Sequence, residues 1–146
     1  MTAVSDEDIL RILSSVRRIA VVGASNNPAR PSYGVMSYLL SRGYLVVPVN
    51  PGLAGQTILG QTVFATLSEV SGPIDMVDIF RASDAAGMVT REAIGLKDKL
   101  GIKAIWMQIG VVHAEAAAEA RASGLDVVMD RCPHIEIPRL RLAPVM

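Results

Sequence analysis

The sequence predicts an α/β fold: a doubly wound, mainly parallel sheet of five or six strands with helices on both faces. Short β-branched runs such as 18–23 (RIAVVG) and 44–50 (YLVVPVN) alternate with stretches whose apolar residues recur at helical spacing. The strand runs are apolar without a polar alternation, as expected of strands covered on both sides. A chain of 146 residues with 51% hydrophobic content is the size of one ordinary core, so residues 1–146 are expected to form a single domain.

Each element has a local reason. Ser5 and Asp8 make a capping box ahead of Ile9, Leu10, Leu13 and Val16, which places an amphipathic helix over 6–15. The run 18–23 then reads as the first strand. Ser32 is positioned to cap a helix reaching about Arg42, stopped by Gly43, with Val35, Met36, Leu39 and Leu40 on its apolar face. Strand 44–50 completes a βαβ unit. The segment 60–70 (GQTVFATLSEV) reads as a short edge strand and a single helical turn. Three further strands are expected at 74–80, 102–109 and 125–129, separated by helices over 84–99 and 113–122. The second of these helices is Ala-rich and is closed by Gly124, so it can lie close on a sheet.

Fourteen basic residues balance fourteen acidic ones, so no overall field draws the chain to nucleic acid or to an anionic membrane. An anionic ligand must be held locally. No apolar run approaches the ~20 residues of a membrane span, and the acidic start MTAVSDEDIL is unlike a secretory signal. With a lone cysteine, Cys132, and hence no internal disulfide, the expected location is cytoplasmic, with neither nucleic acid nor membrane as partner.

In a doubly wound sheet, ligands bind beyond the carboxyl ends of the strands, where strand order reverses. Gly23-Ala24-Ser25 ends the first strand: Gly23 permits a tight turn, Ser25 offers a hydroxyl, and the amides opening the next helix can face an anion. An ordinary strand-to-helix turn tolerates the same residues. Arg30, in a loop stiffened by Pro28 and Pro31, could pair with a phosphate or simply be solvated. Asn50-Pro51 replaces the acidic residue that a nicotinamide dinucleotide site needs at the end of its second strand, and is also an ordinary turn. Phe80-Arg81 sets a flat apolar surface beside a cation, which suits an aromatic base next to a phosphate as well as it suits a core edge.

Other candidates carry less chemistry. Asp75 and Asp78 point to opposite faces of one strand and read as structural. His113, Glu115 and the CPH stretch at 132–134 lack the second cysteine and the residue order of a zinc site, so no metal is expected. His113 is expected to open a helix and His134 to lie on the surface. Cys132 follows a strand beside Arg131, a cation that could lower its pKa. It reads as a structural thiol, although a thiol-bearing ligand could form a mixed disulfide with it.

Taken in order over nearly the whole chain, the blocks IAVVGASNNPARPS, VVPVNP, VDIFR, IWMQIG and VVMDRC resemble the small stand-alone CoA-binding proteins. The fold they imply is similar to the CoA-binding N-terminal domain of the succinyl-CoA synthetase α-subunit and of ADP-forming acyl-CoA synthetases. That resemblance implies a Rossmann-like domain binding coenzyme A or an acyl-CoA, with the pyrophosphate on the first Gly-rich turn and adenosine across the strand ends. The matching blocks put Gly23, Ala24, Ser25, Arg30, Ser32, Asn50, Pro51, Phe80, Arg81 and Gln108 at the ligand, and position alone adds Tyr33 at the helix start. The phosphorylated histidine of the synthetases lies in a later domain, for which 146 residues leave no room. The expectation is therefore a binding, carrier or regulatory module with no catalytic residues, acting alone, as a homodimer or with a protein partner. A small NAD(P)-binding oxidoreductase and an interaction subunit with a vestigial nucleotide site are the alternatives.

Overall fold

The computed structural model describes residues 4–145. Helix α1 (Asp6–Ser15) begins with half of the expected capping box: Asp8 N donates to Ser5 Oγ at 3.1 Å, while the Asp8 carboxylate accepts from the Ser5 hydroxyl at 2.9 Å in place of the Ser5 backbone N–H. Strand β1 (Arg18–Val22), helix α2 (Pro31–Ser41) and strand β2 (Leu45–Val49) form the expected βαβ unit, with β1 and β2 parallel. A 3-10 turn at Pro51–Leu53 leads to strands β3 (Thr57–Ile58) and β4 (Gln61–Thr62), and a second such turn, Leu67–Glu69, follows. The chain continues through β5 (Met76–Ile79), α3 (Ser83–Leu100), β6 (Ala104–Met107), α4 (Ala114–Ala122), β7 (Asp126–Val128) and α5 (Pro133–Arg139).

Five parallel strands make the main sheet, in the order β2-β1-β5-β6-β7. Side chains alternate along each strand, so each buries two sets. Ile19, Val21, Met76 and Trp106 pack with Ile9, Leu13, Met36 and Ile137 of α1, α2 and α5. Ala20, Val77, Ile79 and Ile105 pack on the other side with Ala86, Ala93 and Ala117 of α3 and α4. This is the doubly wound, Rossmann-like α/β architecture expected from the sequence, with five strands in the main sheet.

Three local expectations change. The segment expected as an edge strand in 60–70 splits: β4 pairs with β3 in a separate antiparallel hairpin, while Phe64 beyond it does reach the sheet edge, bridging Val49 of β2 in parallel through Phe64 N to Pro48 O at 3.0 Å and Asn50 N to Phe64 O at 2.9 Å. The hairpin's two-residue turn puts Leu59 (φ 51°) and Gly60 (φ 78°) in left-handed conformations, and leucine at the first of them hides the usual Asn-Gly signal. Ser32 does not cap α2: Arg30 is the N-cap, Pro31 occupies the first turn, and Ser32 Oγ accepts from Ser25 N at 3.0 Å. Helix α5 was unexpected because Pro133 and Pro138 bracket its seven residues and obscure any helical period. On it, His134 is exposed as expected and stacks on Tyr38 of α2, with ring centroids 4.0 Å apart.

Candidate functional site

The chain leaves β1 for β2 on one side and reaches β5 on the other, so the strand order reverses at β1 and opens a crevice beyond the carboxyl ends. A cleft of about 740 Å³ occupies that crevice. It gathers Gly23, Ala24, Ser25, Arg30 and Ser32 from the β1–α2 connection, Asn50 from the end of β2, Phe80 and Arg81 from the end of β5, and Gln108 from the end of β6. Pro51 lines an adjoining cleft of about 520 Å³ that shares Gly23, Asn50, Phe80 and Arg81 with the first.

Tyr33 lines neither cleft; it packs against the core under α1, α2 and α5. Ser32, Val35, Met36 and Leu39 form the buried face of α2, and Tyr33 is turned about 100° from Ser32.

The turn after β1 is tightly built. Gly23 has φ 88°, and a Cβ added there would lie 2.6 Å from the Phe80 carbonyl oxygen and 3.0 Å from Arg81 Cδ. Only glycine allows this approach of two strand ends. Gly23 N and Ala24 N both donate to Val49 O, at 3.0 and 3.3 Å, and Ser25 N is held by Ser32. The amides of the Gly-Ala-Ser turn are thus committed to the protein. Asn50 is similarly engaged: Nδ2 donates to Ala24 O at 2.7 Å and Oδ1 accepts from Gly52 N at 2.8 Å, which locks the β1 and β2 turns together.

Available donors lie around this frame. No side chain caps α2; Pro31 has no N–H and Tyr33 N donates to Arg30 O at 3.1 Å, which leaves the Ser32 amide, without an acceptor among the described residues, to carry the partial positive charge of the helix start toward the cleft. Ser25 Oγ accepts from Asn27 N at 3.0 Å and retains its own hydroxyl hydrogen. Arg30 and Arg81 are exposed and make no ion pair among the described residues. Among the described residues no carboxylate lines the larger cleft, whereas Glu92 lines the adjoining one with Arg81, so it is the larger cleft in which an electrically balanced chain presents a locally cationic surface.

At the floor of the cleft, Gln108 is 6% exposed and its Nε2 donates to Asp78 Oδ1 at 2.7 Å. Asp78 is fully buried in the middle of the sheet, and its Oδ2 has no partner among the described residues. Burial pushes its pKa up to about 7, with the Gln108 hydrogen bond pulling the other way. The sequence reading of Asp78 as merely structural missed this; the signal was an acid inside the unbroken apolar run MVDIF.

Cys132 also lines the cleft, but burial raises its thiol pKa and the Asp78 charge adds to the rise. Arg131, expected to lower that pKa, instead pairs with Glu136 at 3.3 Å. The thiol is placed at the ligand site without being activated. His113 opens α4 as expected, its Nδ1 accepting from Ala116 N at 3.1 Å, which occupies the lone pair that a metal would need.

Comparison with known proteins agrees with this geometry. The chain is 36% identical over 128 residues to the uncharacterized protein YneT of Bacillus subtilis, covering 88% of this chain and 90% of that protein. It superposes with a TM-score of 0.87 on Prb, the PH1109 protein redesigned for binding, at 36% identity over 97% of this chain and 95% of the other. A dinucleotide-forming acetyl-coenzyme A synthetase of Ca. Korarchaeum cryptofilum matches at 26% identity and a TM-score of 0.65, over 81% of this chain and 26% of the enzyme. The profile of the CoA binding domain matches residues 17–138, and with the cleft at the reversal of strand order this establishes that the chain belongs to the CoA binding domain family.

Proposed function

We propose that the chain binds coenzyme A or an acyl-CoA in the cleft over β1, β5 and β6 and performs no chemistry of its own, serving as a carrier or regulatory module. The observation that carries the reading is the cation arrangement: among the described residues Arg30 and Arg81 have no carboxylate partner and no acid lines the larger cleft around which they stand. The ligand's diphosphate fits the uncapped start of α2 and these guanidiniums, which can donate in pairs to phosphate oxygens. Adenosine then falls toward Asn50 and Pro51 in the adjoining cleft. A nicotinamide dinucleotide is disfavoured because β2 ends in Asn50, whose amide is engaged at both ends and supplies no carboxylate for ribose hydroxyls. The protein-only reading, with a vestigial site, is disfavoured by the absence of any ion pair to neutralise the two arginines among the described residues.

Calorimetry and thermal unfolding with CoA, acetyl-CoA, dephospho-CoA, ADP, NAD and NADP at fixed salt test the proposal. CoA and its thioesters should stabilise the protein selectively, since a ligand at a hundred times its Kd adds about 2.7 kcal/mol. Arg30→Ala should weaken CoA binding about tenfold, the loss of one charge-assisted contact, while leaving the unliganded unfolding midpoint unchanged. Preference for NAD or NADP, or no response to any of the six, would overturn the reading.

A further inference from the structure

A buried carboxyl in the central strand of a sheet is costly unless its neighbours use it. Among the described residues Asp78 holds one hydrogen bond, to the side chain of Gln108, and its second oxygen has no partner. That bond has a definite consequence for Gln108. Because an acceptor oxygen of Asp78 takes the NH2 side of the amide, the atom left over is Gln108 Oε1, which accepts nothing from the described residues. Gln108 is nine-tenths buried and lines the cleft, so this oxygen is a fixed, unfilled acceptor at the end of β6. Its backbone cannot rearrange easily: Gln108 N donates to Ile79 O and Gln108 O accepts from Val111 N.

Resting on the CoA reading above, we propose that Asp78 is a positioning residue that holds Gln108 so that Oε1 accepts the N–H of the pantetheine amide nearer the thiol. The sheet itself supplies the ruler. The α2 start that receives the diphosphate is tied over the end of β1 by the Ser25 N to Ser32 Oγ bond at 3.0 Å, Gln108 directly follows β6, and β1 and β6 are two places apart in the sheet, a separation of about 10 Å. From the phosphate oxygen of CoA, the first amide nitrogen is five bonds away and the second nine; at ~1.2 Å of reach per bond those lie about 6 and 11 Å out. The second amide matches the Gln108 position. A neutral amide acceptor also suits a neutral amide donor, whereas a bare carboxylate in the same place would repel the phosphates of the same ligand.

The test compares CoA with adenosine 3'-phosphate 5'-diphosphate, which keeps the nucleotide and lacks the arm. Gln108→Ala and Asp78→Leu should each weaken CoA about three- to tenfold, the worth of one neutral hydrogen bond, and leave the arm-less nucleotide unchanged. Asp78→Asn, which can present either an acceptor or a donor to Gln108, should lose about twofold. In a double-mutant cycle, Asp78→Leu should have no further effect on CoA once Gln108 is alanine, which a merely structural role would not produce. Equal losses for both ligands, no loss for either, or additive effects in the cycle would overturn the proposal while leaving the CoA reading intact. Failure of the unmodified protein to bind either ligand would overturn both.

Discussion

Asp75 directly precedes β5 and Asp78 is the third residue of that strand, yet the two ends of the sheet treat their carboxyls in opposite ways. At the amino end, Asp75 Oδ2 accepts from Arg17 N at 2.9 Å and Arg18 N at 3.0 Å, and Lys103 Nζ stands 3.7 Å from Oδ1. Neighbouring groups there are equally occupied, with Arg18 donating to the Ser71 and Pro73 carbonyls and Arg11 paired with Asp126 at 2.9 Å. Toward the carboxyl end, among the described residues, Asp78 has one partner, Gln108 keeps a free oxygen, and Arg30 and Arg81 make no ion pair. Charge at the amino end closes the fold. Polar groups at the carboxyl end are held in place but left incomplete, as expected of a surface that a ligand completes.

The largest break in this contrast should come from Gly23, where the carboxyl end is assembled. Gly23→Ala forces a side chain into a left-handed conformation and against the Phe80 carbonyl, and should cost about 3 kcal/mol in urea unfolding while abolishing CoA binding. The control is Gly60→Ala in the β3–β4 turn. Its φ is also positive, 78°, but nothing lies within 4 Å of the added carbon, so about 1 kcal/mol is expected with CoA binding retained.

Opposite effects should separate the two aspartates. Asp75→Ala removes a charged acceptor from two backbone N–H groups and should cost about 2 kcal/mol at neutral pH. Asp78 works the other way. Its folded pKa, about 7, lies above its ordinary value of 3.8, so between those values the folded protein keeps a proton that the unfolded chain has lost. Its contribution to stability is therefore full below pH 4 and falls by up to about 1.4 kcal/mol per pH unit until pH 7, then stays level. Asp78→Asn should remove that slope and so stabilise the protein by up to about 4 kcal/mol at pH 8, the sum of the slope over some three pH units, with no gain at pH 4. Unfolding midpoints from pH 4 to 8 decide the matter: parallel curves for the two proteins would show that Asp78 does not titrate in this range.

The same contrast explains what could be read from the sequence. Strand ends announce themselves, because an apolar run stops at Gly23, Asn50, Phe80 or Gln108, and the doubly wound order carries each of these to one rim. Tertiary commitments do not announce themselves. That the Gly23 and Ala24 amides both meet Val49 O, or that Ser32 serves Ser25 instead of capping α2, depends on how separate turns meet in space. The β3–β4 hairpin and α5 were hidden by local chemistry, a leucine at a left-handed turn position and two prolines around a seven-residue helix. Asp78 was visible as an acid in an apolar strand; its bond to Gln108 crosses thirty residues of sequence and was not.

Helix phase supplies the finest distinction. Ser32 and Tyr33 are adjacent at the start of α2, and both were expected at the ligand, but Ser32 lines the cleft and Tyr33 packs on the core. Ser32→Ala should free Ser25 N, loosen the turn and weaken CoA several-fold, since the turn's shape depends on that hydrogen bond. Tyr33→Phe removes only a hydroxyl that lies outside both clefts, so its CoA Kd should stay within twofold of the original. If calorimetry instead found Tyr33→Phe to be the more damaging change, the ligand would have to reach around the α2 start onto its outer side, and the inward face marked by Ser32 and Val35 would not be the binding face.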